Sequence, residues 1–212
     1  MLFLFPMKNQ LRQFLALSTL AGTAFAAPLS FDFKDPKGVN NVQFKLDAPL
    51  ESITGTGTGI SGKVAFDPAK PGATTGRIEL ATKSLTVGNP MMGEHMLGDK
   101  WLDAAKHPVI AFELVSLANV RTQAGVTTAD ATGKLTLKGV TKEIKVPVSL
   151  THLPDRLGAR VNDPKVKGDL LVIRATFEVN RGDYGINPGQ NTDKVAENIQ
   201  LSLSIAGAAP KA

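Results

Sequence analysis

Apolar and polar residues alternate one by one along several stretches of this chain. Successive side chains of a β-strand point to opposite faces, so a period of two predicts strands with one apolar and one polar face. The alternation is clearest in five segments: Val42–Asp47, Lys134–Leu137, Glu143–Val148, Ile173–Val179 and Ile199–Ile205. Strands of this kind are typical of an antiparallel sheet that buries one face. We therefore predict an all-β protein.

Turn-forming residues separate the alternating segments and indicate how many strands there are. With these turns as boundaries, about eight strands can be counted. Eight is the number at which a closed barrel is just wide enough to hold one small ligand, and closure removes exposed sheet edges. We therefore predict an extended, antiparallel, eight-stranded barrel. The turn signals are Asp67-Pro68, Lys70-Pro71-Gly72, Leu153-Pro154-Asp155 and Asn187-Pro188-Gly189.

The segment Leu85–Phe112 breaks the alternating pattern. It runs from a strand end through a turn at Asn89-Pro90 into a short apolar helix, and a new strand opens after His107-Pro108. We predict a helical plug between strands, lying over one mouth of the barrel. Its apolar residues have two interpretations, since methionine suits both irregular cores and adaptable binding surfaces: they close the barrel as ordinary core, or they form the lid of a lipid pocket. These residues are Met91, Met92, Met96, Leu97, Trp101 and Leu102.

The first 26 residues have the pattern of a cleavable signal peptide. Lys8 and Arg12 form a positive start, residues 14–21 are apolar, and Ala24-Phe25-Ala26 resembles a cleavage site. The apolar run is shorter than the ~20 residues that span a bilayer, although an uncleaved anchor is the alternative. We predict export to a periplasm, a barrel domain over residues 27–206 and a disordered tail over residues 207–212. Met7 is the more usual start for such a signal than Met1.

Composition narrows the classes of function. The 212 residues include no cysteine, so neither disulfides nor lipid-modified cysteines are expected. The formal net charge of +5 is spread without a run of like charges, and the chain holds one Trp and one Tyr. Nucleic-acid binding is therefore poorly supported, because it needs basic clusters or several aromatic stacking platforms.

One glycine-rich segment spells a dinucleotide-binding fingerprint, Gly57–Gly62. The fingerprint needs a following helix, but residues 63–68 predict a strand and a turn, so we reject the match. In the same segment Gly55, Gly57 and Gly59 share one strand face. Aligned glycines mark a bend or a close backbone approach, and on an inward face they also leave room for a ligand. The bend is the favoured interpretation.

Candidate chemistry is sparse. The three histidines, His95, His107 and His152, lack metal-site spacing, and no nucleophile motif is present. His95 beside Glu94 has two interpretations: a general base, or a residue that links the plug to the barrel rim. Arg181 has two as well. Its guanidinium could clamp an anionic head group, or it could form a structural ion pair with a neighbour such as Asp183, which is the favoured interpretation.

Taken together, five fragments resemble the YceI-like family of periplasmic proteins, in the same order and over nearly the whole chain after the signal. The resemblance implies a lipocalin-like barrel that holds a long isoprenoid or a similar lipid in an apolar cavity. The wider family is associated with isoprenoid quinones, and some members are encoded with or fused to cytochrome b561-type membrane proteins. The fragments are Gly62–Pro68, Glu94–Leu97 with Trp101–Ala105, His107–Phe112, Gly133–Lys142 and Asn180–Ile186.

We therefore predict a non-enzymatic carrier of a polyisoprenoid, isoprenoid quinone or fatty-acyl molecule, with no cofactor or metal, as a monomer or homodimer. The alternative is an interaction module for a cytochrome b561-type membrane protein, with a packed barrel and no ligand. A hydrolase based on His95 is the third hypothesis. Candidate head-group contacts are Arg181 and His95. The predicted cavity and lid residues are Phe44, Ile78, Leu80, Met92, Met96, Trp101, Ile110, Phe112, Ile173, Phe177, Leu201 and Leu203.

Overall fold

A computed structural model describes residues 27–211 of the chain, so the predicted signal peptide lies outside the described residues. Eleven strands, two α-helices and three short 3-10 turns follow one another there. The helices are α1 (Pro90–Leu97) and α2 (Leu157–Val161). The strands are β1 (Leu29–Asp32), β2 (Asn41–Asp47), β3 (Ser52–Gly57), β4 (Ile60–Phe66), β5 (Thr75–Ala81), β6 (Leu85–Val87), β7 (Val109–Gln123), β8 (Val126–Leu137), β9 (Val140–Leu153), β10 (Gly168–Asn180) and β11 (Asn198–Pro210).

The predicted eight-stranded barrel is confirmed. Every pairing is antiparallel, and the ring β1-β4-β5-β7-β8-β9-β10-β11 closes on itself where Asp32 of β1 faces Ala208 of β11. The other three strands, β2, β3 and β6, extend the wall beyond β1, β4 and β5, with β2 pairing the first half of β11. The first three strand positions around the barrel are thus each built from two pieces, which is why eleven strands make an eight-stranded barrel.

The favoured bend in the glycine-rich segment lies at Thr58-Gly59, between the end of β3 and the start of β4. There the chain changes from partners β2 and β6 to partners β1 and β5. A Cβ atom on Gly59 would lie 2.8 Å from the Cβ of Ser84, which leaves no space for a larger residue. Because β4 follows at once, the rejected dinucleotide fingerprint has no helix to bind a pyrophosphate.

The predicted plug is confirmed as α1 and the loop that follows it. Asn89 caps the helix, its side-chain oxygen accepting a hydrogen bond from the backbone N–H of Met92 at 3.2 Å, and Pro90 occupies the first turn. Both residue types favour helix starts, because the first N–H groups lack partners within the helix. The carbonyl of His107 accepts a hydrogen bond from the Thr82 hydroxyl at 2.7 Å, so the end of the plug is tied to the wall.

The prediction of a disordered tail over residues 207–212 is wrong for residues 207–210. They are the last part of β11, where Gly207 pairs with Leu171 and Pro210 pairs with Gly168. Ala209 is buried, so the small residues of this segment pack inside the sheet rather than fraying. A run of Ala and Gly has weak strand propensity, but the pairing and packing supplied by β10 outweigh it.

One end of the barrel is closed by a layer of large apolar side chains. Phe31, Phe33, Phe66 and Leu171 are each at most 2% exposed. His152 packs edge-on against Phe31, with ring centroids 5.9 Å apart. We call this layer the floor of the barrel. It lies at the end opposite α1: β10, for example, starts beside Leu171 in the floor and ends beside Arg181, which contacts Trp101 of the plug. Neither helix within residues 27–211 has the length and apolar character needed to cross a bilayer.

A buried carboxylate lies beside the floor. Asp169 is 6% exposed at its side chain and lies 3.0 Å from His152 Nε2 and 2.8 Å from Lys211 Nζ. It also accepts a hydrogen bond from the backbone N–H of Asp155 at 3.0 Å. Burial raises the pKa of Asp169, but these hydrogen bonds and the charge of Lys211 outweigh it and lower the pKa to about 2.

Replacing Asp169 with Asn is expected to destabilise the protein by about 2 kcal/mol at pH 7, since each pKa unit corresponds to about 1.4 kcal/mol. The native pKa lies below the reference value of 3.8. The contribution of the Asp169 carboxylate to the free energy of unfolding is therefore fully present above pH 3.8 and is lost as the pH falls from there through about 2. Urea unfolding at several pH values measures it. Glu178→Gln, an exposed position on the same strand, is the control; equal losses for the two variants would contradict the assignment.

Candidate ligand cavity

An elongated cavity of about 590 Å³ runs along the inside of the barrel. Its volume lies within the range of roughly 300–1,000 Å³ that is usual for small-molecule sites. The wall consists almost entirely of aliphatic, aromatic and methionine side chains from the inward faces of the strands. Within the described residues its lining has few ionisable side chains: Glu51, Glu79, His95, Arg181 and Lys194. A packed barrel, as the interaction-module alternative assumed, is therefore wrong for this structure.

The structure places every sequence-predicted site residue on this wall. The twelve apolar residues and the two candidate head-group contacts all line the one cavity, although their roles toward a ligand stay predictions. Phe44, Ile78, Leu80, Ile110, Phe112, Ile173, Phe177, Leu201 and Leu203 come from the strands; Met92, His95, Met96 and Trp101 come from the plug; Arg181 follows β10.

Further lining residues were missed, although most could have been found by the same rule of alternation. On β9 the lining positions 146, 148 and 150 extend the predicted segment Glu143–Val148. Two were missed because they are small: Ala131 and Ala175 give no strong hydropathy signal, yet both are buried on the inward face. On β7 the lining residue after Leu114 is Leu117, because a register shift between Leu114 and Ser116 reverses which side chains point inward.

Of the two interpretations given to the methionine-rich plug, the positions of four residues agree with a lid, whereas Met91 agrees with neither. Met92, Met96, Trp101 and Leu102 line the cavity, as a lid would. Met91 points away and is 66% exposed. No residue of α1 is fully buried, so the helix rests on the barrel with less packing than the strands have. A lid that must admit a ligand is expected to belong to such a weakly packed element.

The cavity reaches solvent beside α1. Four of its lining side chains are exposed, and all four lie at that end of the barrel: Glu51 before β3, His95 on α1, and Asn191 and Lys194 in the loop before β11. The floor closes the opposite end. A ligand would therefore enter past the plug, with its apolar part directed toward the floor and any polar group left at this entrance.

Arg181 has a structural role, as favoured from the sequence, but with partners that the sequence did not reveal. Its side chain is fully buried, and its five N–H groups donate to five backbone carbonyls of the loop 185–197. The guanidinium carbon also lies 5.5 Å from the centre of the Trp101 ring. Burial lowers the pKa of Arg181, which the charge of Glu197 raises in part. The accepting carbonyls are those of Ile186, Asn187, Gln190, Val195 and Ala196.

The favoured ion pair between Arg181 and Asp183 is wrong. Asp183 instead contacts Lys142, with Oδ1 and Nζ 3.0 Å apart. The other interpretation, a clamp on a head group, is not supported either, because no N–H of the guanidinium is free in this conformation. The sequence favoured Asp183 because it lies two residues from Arg181. In the structure the backbone carbonyls of the loop 185–197 surround the buried guanidinium and accept all of its hydrogen bonds.

The chemistry available at His95 is limited. The ring lies at the entrance, and among residues 27–211 its side chain forms no hydrogen bond or ion pair. A general base must lie within hydrogen-bond reach of the proton that it abstracts from a substrate. In the same part of the chain, no three His, Asp or Glu side chains are grouped to hold a metal ion. His95 is thus placed to contact a molecule bound in the cavity.

The inward glycines do not contribute open space directly. Gly55 and Gly57 lie on the same face of β3 as Ile53, which lines the cavity. The space above Gly55 is filled by the Phe44 ring, and that above Gly57 by the ends of Leu85 and Leu80. The prediction that these glycines leave room for a ligand is therefore wrong in its simple form, since neighbouring side chains occupy the room.

Comparison with known proteins gives a consistent result. The chain matches the YceI-like domain over residues 9–206. It is 33% identical over 202 residues to a UPF0312 protein of Pseudomonas savastanoi pv. phaseolicola, a match that covers 93% of this chain and 96% of the relative. A UPF0312 protein of Ectopseudomonas mendocina is 32% identical over 203 residues, covering 95% and 98% of the two chains.

Solved structures share the fold. BcnA of Burkholderia cenocepacia superposes with a TM-score of 0.64 at 21% identity, covering 79% of this chain and 95% of BcnA. A polyisoprenoid binding domain from Saccharophagus degradans, implicated in plant cell wall breakdown, gives a TM-score of 0.62 at 13% identity. That match covers 86% of this chain and 99% of the domain. At these identities the likeness concerns the barrel architecture alone.

Proposed function

Because this chain belongs to the YceI-like domain family, we propose that its barrel is a binding and carrier protein for a long-chain apolar ligand. The observation that carries the proposal is the continuous cavity of about 590 Å³ lined by apolar side chains. A hydrocarbon chain is the ligand that suits such a wall, since each buried methylene contributes about 0.8 kcal/mol. Short polar metabolites are disfavoured, because the lining offers few polar groups to replace their hydration.

Chain length follows from the cost of binding. A ten-carbon tail gains on the order of 8 kcal/mol on burial, whereas association costs about 4–15 kcal/mol in lost freedom. Micromolar or tighter binding therefore needs a longer tail or an additional polar contact at the entrance. Polyisoprenoids, isoprenoid quinones and long fatty-acyl molecules meet this requirement. The polyisoprenoid binding domain of Saccharophagus degradans, which shares the fold, supports the first of these classes.

The site of action proposed for this carrier is the periplasm. The support is the pattern of the first 26 residues, with Lys8, Arg12 and the Ala24-Phe25-Ala26 sequence, together with the absence of cysteine. A carrier in that compartment would move a lipid through water between membranes or between a membrane and an enzyme. A cytochrome b561-type membrane protein remains the proposed partner for such a transfer.

Trp101, the only tryptophan in the chain, provides a direct test because it lines the cavity. Protein freed of lipid by solvent extraction is titrated with geranylgeraniol, and the fluorescence of Trp101 is followed. We expect a saturable blue shift with a one-to-one end point, since the alcohol displaces water from around the indole. Trp101→Phe should lose the signal but retain the ligand in native mass spectrometry.

Two results would contradict the carrier function. One is extracted protein that takes up neither prenols, quinones nor fatty acids in native mass spectrometry. The other is protein purified from its own cells that is always empty. Recovery of a membrane cytochrome by such empty protein would favour the interaction module instead.

A further inference from the structure

Two phenylalanines on the cavity wall lie over glycines of neighbouring strands. The first is Phe44 on β2, whose direct cross-strand partner is Gly55 on β3. A Cβ atom placed on Gly55 would lie 2.6 Å from Cε1 of the Phe44 ring. Carbon atoms in contact are normally about 3.5–4.0 Å apart. The ring therefore occupies the place where any other residue at position 55 would have its side chain.

The second pair is Phe112 on β7 and Gly133 on β8, which lie diagonally across the two strands. A Cβ atom on Gly133 would lie 2.7 Å from Cε2 of the Phe112 ring. Both phenylalanines line the cavity, so each ring is a part of the wall that a ligand would touch. In both pairs the glycine forms a recess, and the ring lies in that recess, close to the backbone of the next strand.

The two recesses affect the width of the cavity because a phenylalanine side chain has few alternative rotamers. Its χ1 angle occupies one of three staggered positions, so a ring that cannot lie over the neighbouring strand turns to another well. On the inward face of a closed barrel, turning away from the wall directs the ring into the interior. The width available to a ligand at these levels of the barrel thus depends on Gly55 and Gly133.

We propose that the pairs Phe44–Gly55 and Phe112–Gly133 set the width of the cavity and thereby decide whether methyl-branched chains are accepted. The inference rests on the proposed carrier function and specifies its ligand class. An isoprenoid chain carries a methyl branch on every fourth backbone carbon and is wider than a straight acyl chain. A ring turned into the interior would exclude the branched chain first, while a straight chain could still pass.

The test compares two alcohols with the same backbone, the methyl-branched phytanol and the straight hexadecan-1-ol, by titrating lipid-free protein with each one and following the fluorescence of Trp101. The variant Gly55→Ala should weaken phytanol binding at least about 10-fold more than hexadecan-1-ol binding, the factor that one methyl group commonly makes in an apolar pocket. The double variant Gly55→Ala/Phe44→Leu should restore the wild-type ratio, because the smaller side chain no longer needs the recess.

Gly57→Ala is the matched control. Gly57 lies on the same strand and face, but the atoms nearest to a Cβ there are the ends of Leu85, at 2.9 Å, and Leu80, at 3.1 Å, rather than an aromatic ring. We expect an unchanged ratio of the two affinities.

Gly55 also lies close to the backbone carbonyl of Thr86. If Gly55→Ala fails to fold, Phe44→Leu alone serves: it should raise the affinity for phytanol relative to hexadecan-1-ol.

An unchanged affinity ratio in both Gly55→Ala and Phe44→Leu, with wild-type protein that binds the alcohols, would overturn the width proposal and leave the carrier function intact. Wild-type protein that binds neither alcohol would overturn both. A ratio that changes equally in Gly57→Ala would also overturn the width proposal, since it would place the effect in the strand rather than in the ring.

Discussion

Replacing Ala175 with tryptophan is expected to weaken the binding of geranylgeraniol by about 100-fold. Ala175 lies on the inward face of β10 and lines the cavity, so an indole at this position projects into the space that a ligand would fill. If the indole displaces about four methylene groups, roughly 3 kcal/mol of burial is lost at about 0.8 kcal/mol each. Every 1.4 kcal/mol changes Kd tenfold, which gives the factor of about 100.

The neighbouring residue supplies the control for this substitution. Thr176 lies on the outward face of the same strand and is exposed, so Thr176→Trp adds the same indole outside the cavity and should leave Kd unchanged. Urea unfolding of both variants separates binding from folding. Filling an empty space need not destabilise the barrel, so Ala175→Trp is expected to stay folded. Ligand binding at wild-type affinity by folded Ala175→Trp protein would show that the cavity is not the binding site.

Replacing Arg181 with alanine is expected to destabilise the protein by roughly 3–5 kcal/mol. Losses of this size occur when a substitution breaks a buried hydrogen-bond network. The substitution removes five hydrogen bonds to backbone carbonyls of the loop 185–197 and the contact with Trp101. Hydrogen bonds to a charged group contribute about 1.5–3 kcal/mol each, although water that enters the site would recover part of this. A planar fork with five donors has no equivalent among the other side chains.

The same substitution should also impair ligand binding, because the loop that Arg181 holds contributes Ile186 and Val195 to the cavity wall. Arg181→Lys retains the charge but has three donors, so it should recover only part of the stability. Arg174→Ala, an exposed position on the outer face of β10, is the control and should change the free energy of unfolding by less than about 0.5 kcal/mol. A similarly small change for Arg181→Ala in urea unfolding would refute the structural role given to Arg181.

Much of the candidate site could be predicted because alternation identifies the inward face of a strand. Phe44, Ile173 and Leu201 follow from that rule alone, and the plug residues follow from the helix signals at Asn89-Pro90. The rule is insufficient where residues are small, as at Ala175, or where the register shifts, as between Leu114 and Ser116. In those places the face that a residue occupies depends on the partner strand, which a single segment does not encode.

The sequence by itself determined the type of each element. The period of two specified the strands, the apolar positions specified which face is buried, and the capping residue Asn89 specified where the helix of the plug begins. These are local properties, since they depend on a few adjacent residues. Only the tertiary structure decided the pairing of β11 with both β1 and β2, the carbonyl partners of Arg181 and the fit of Phe44 over Gly55. These contacts join residues that come together only when the barrel closes, and closure is a property of the whole sheet.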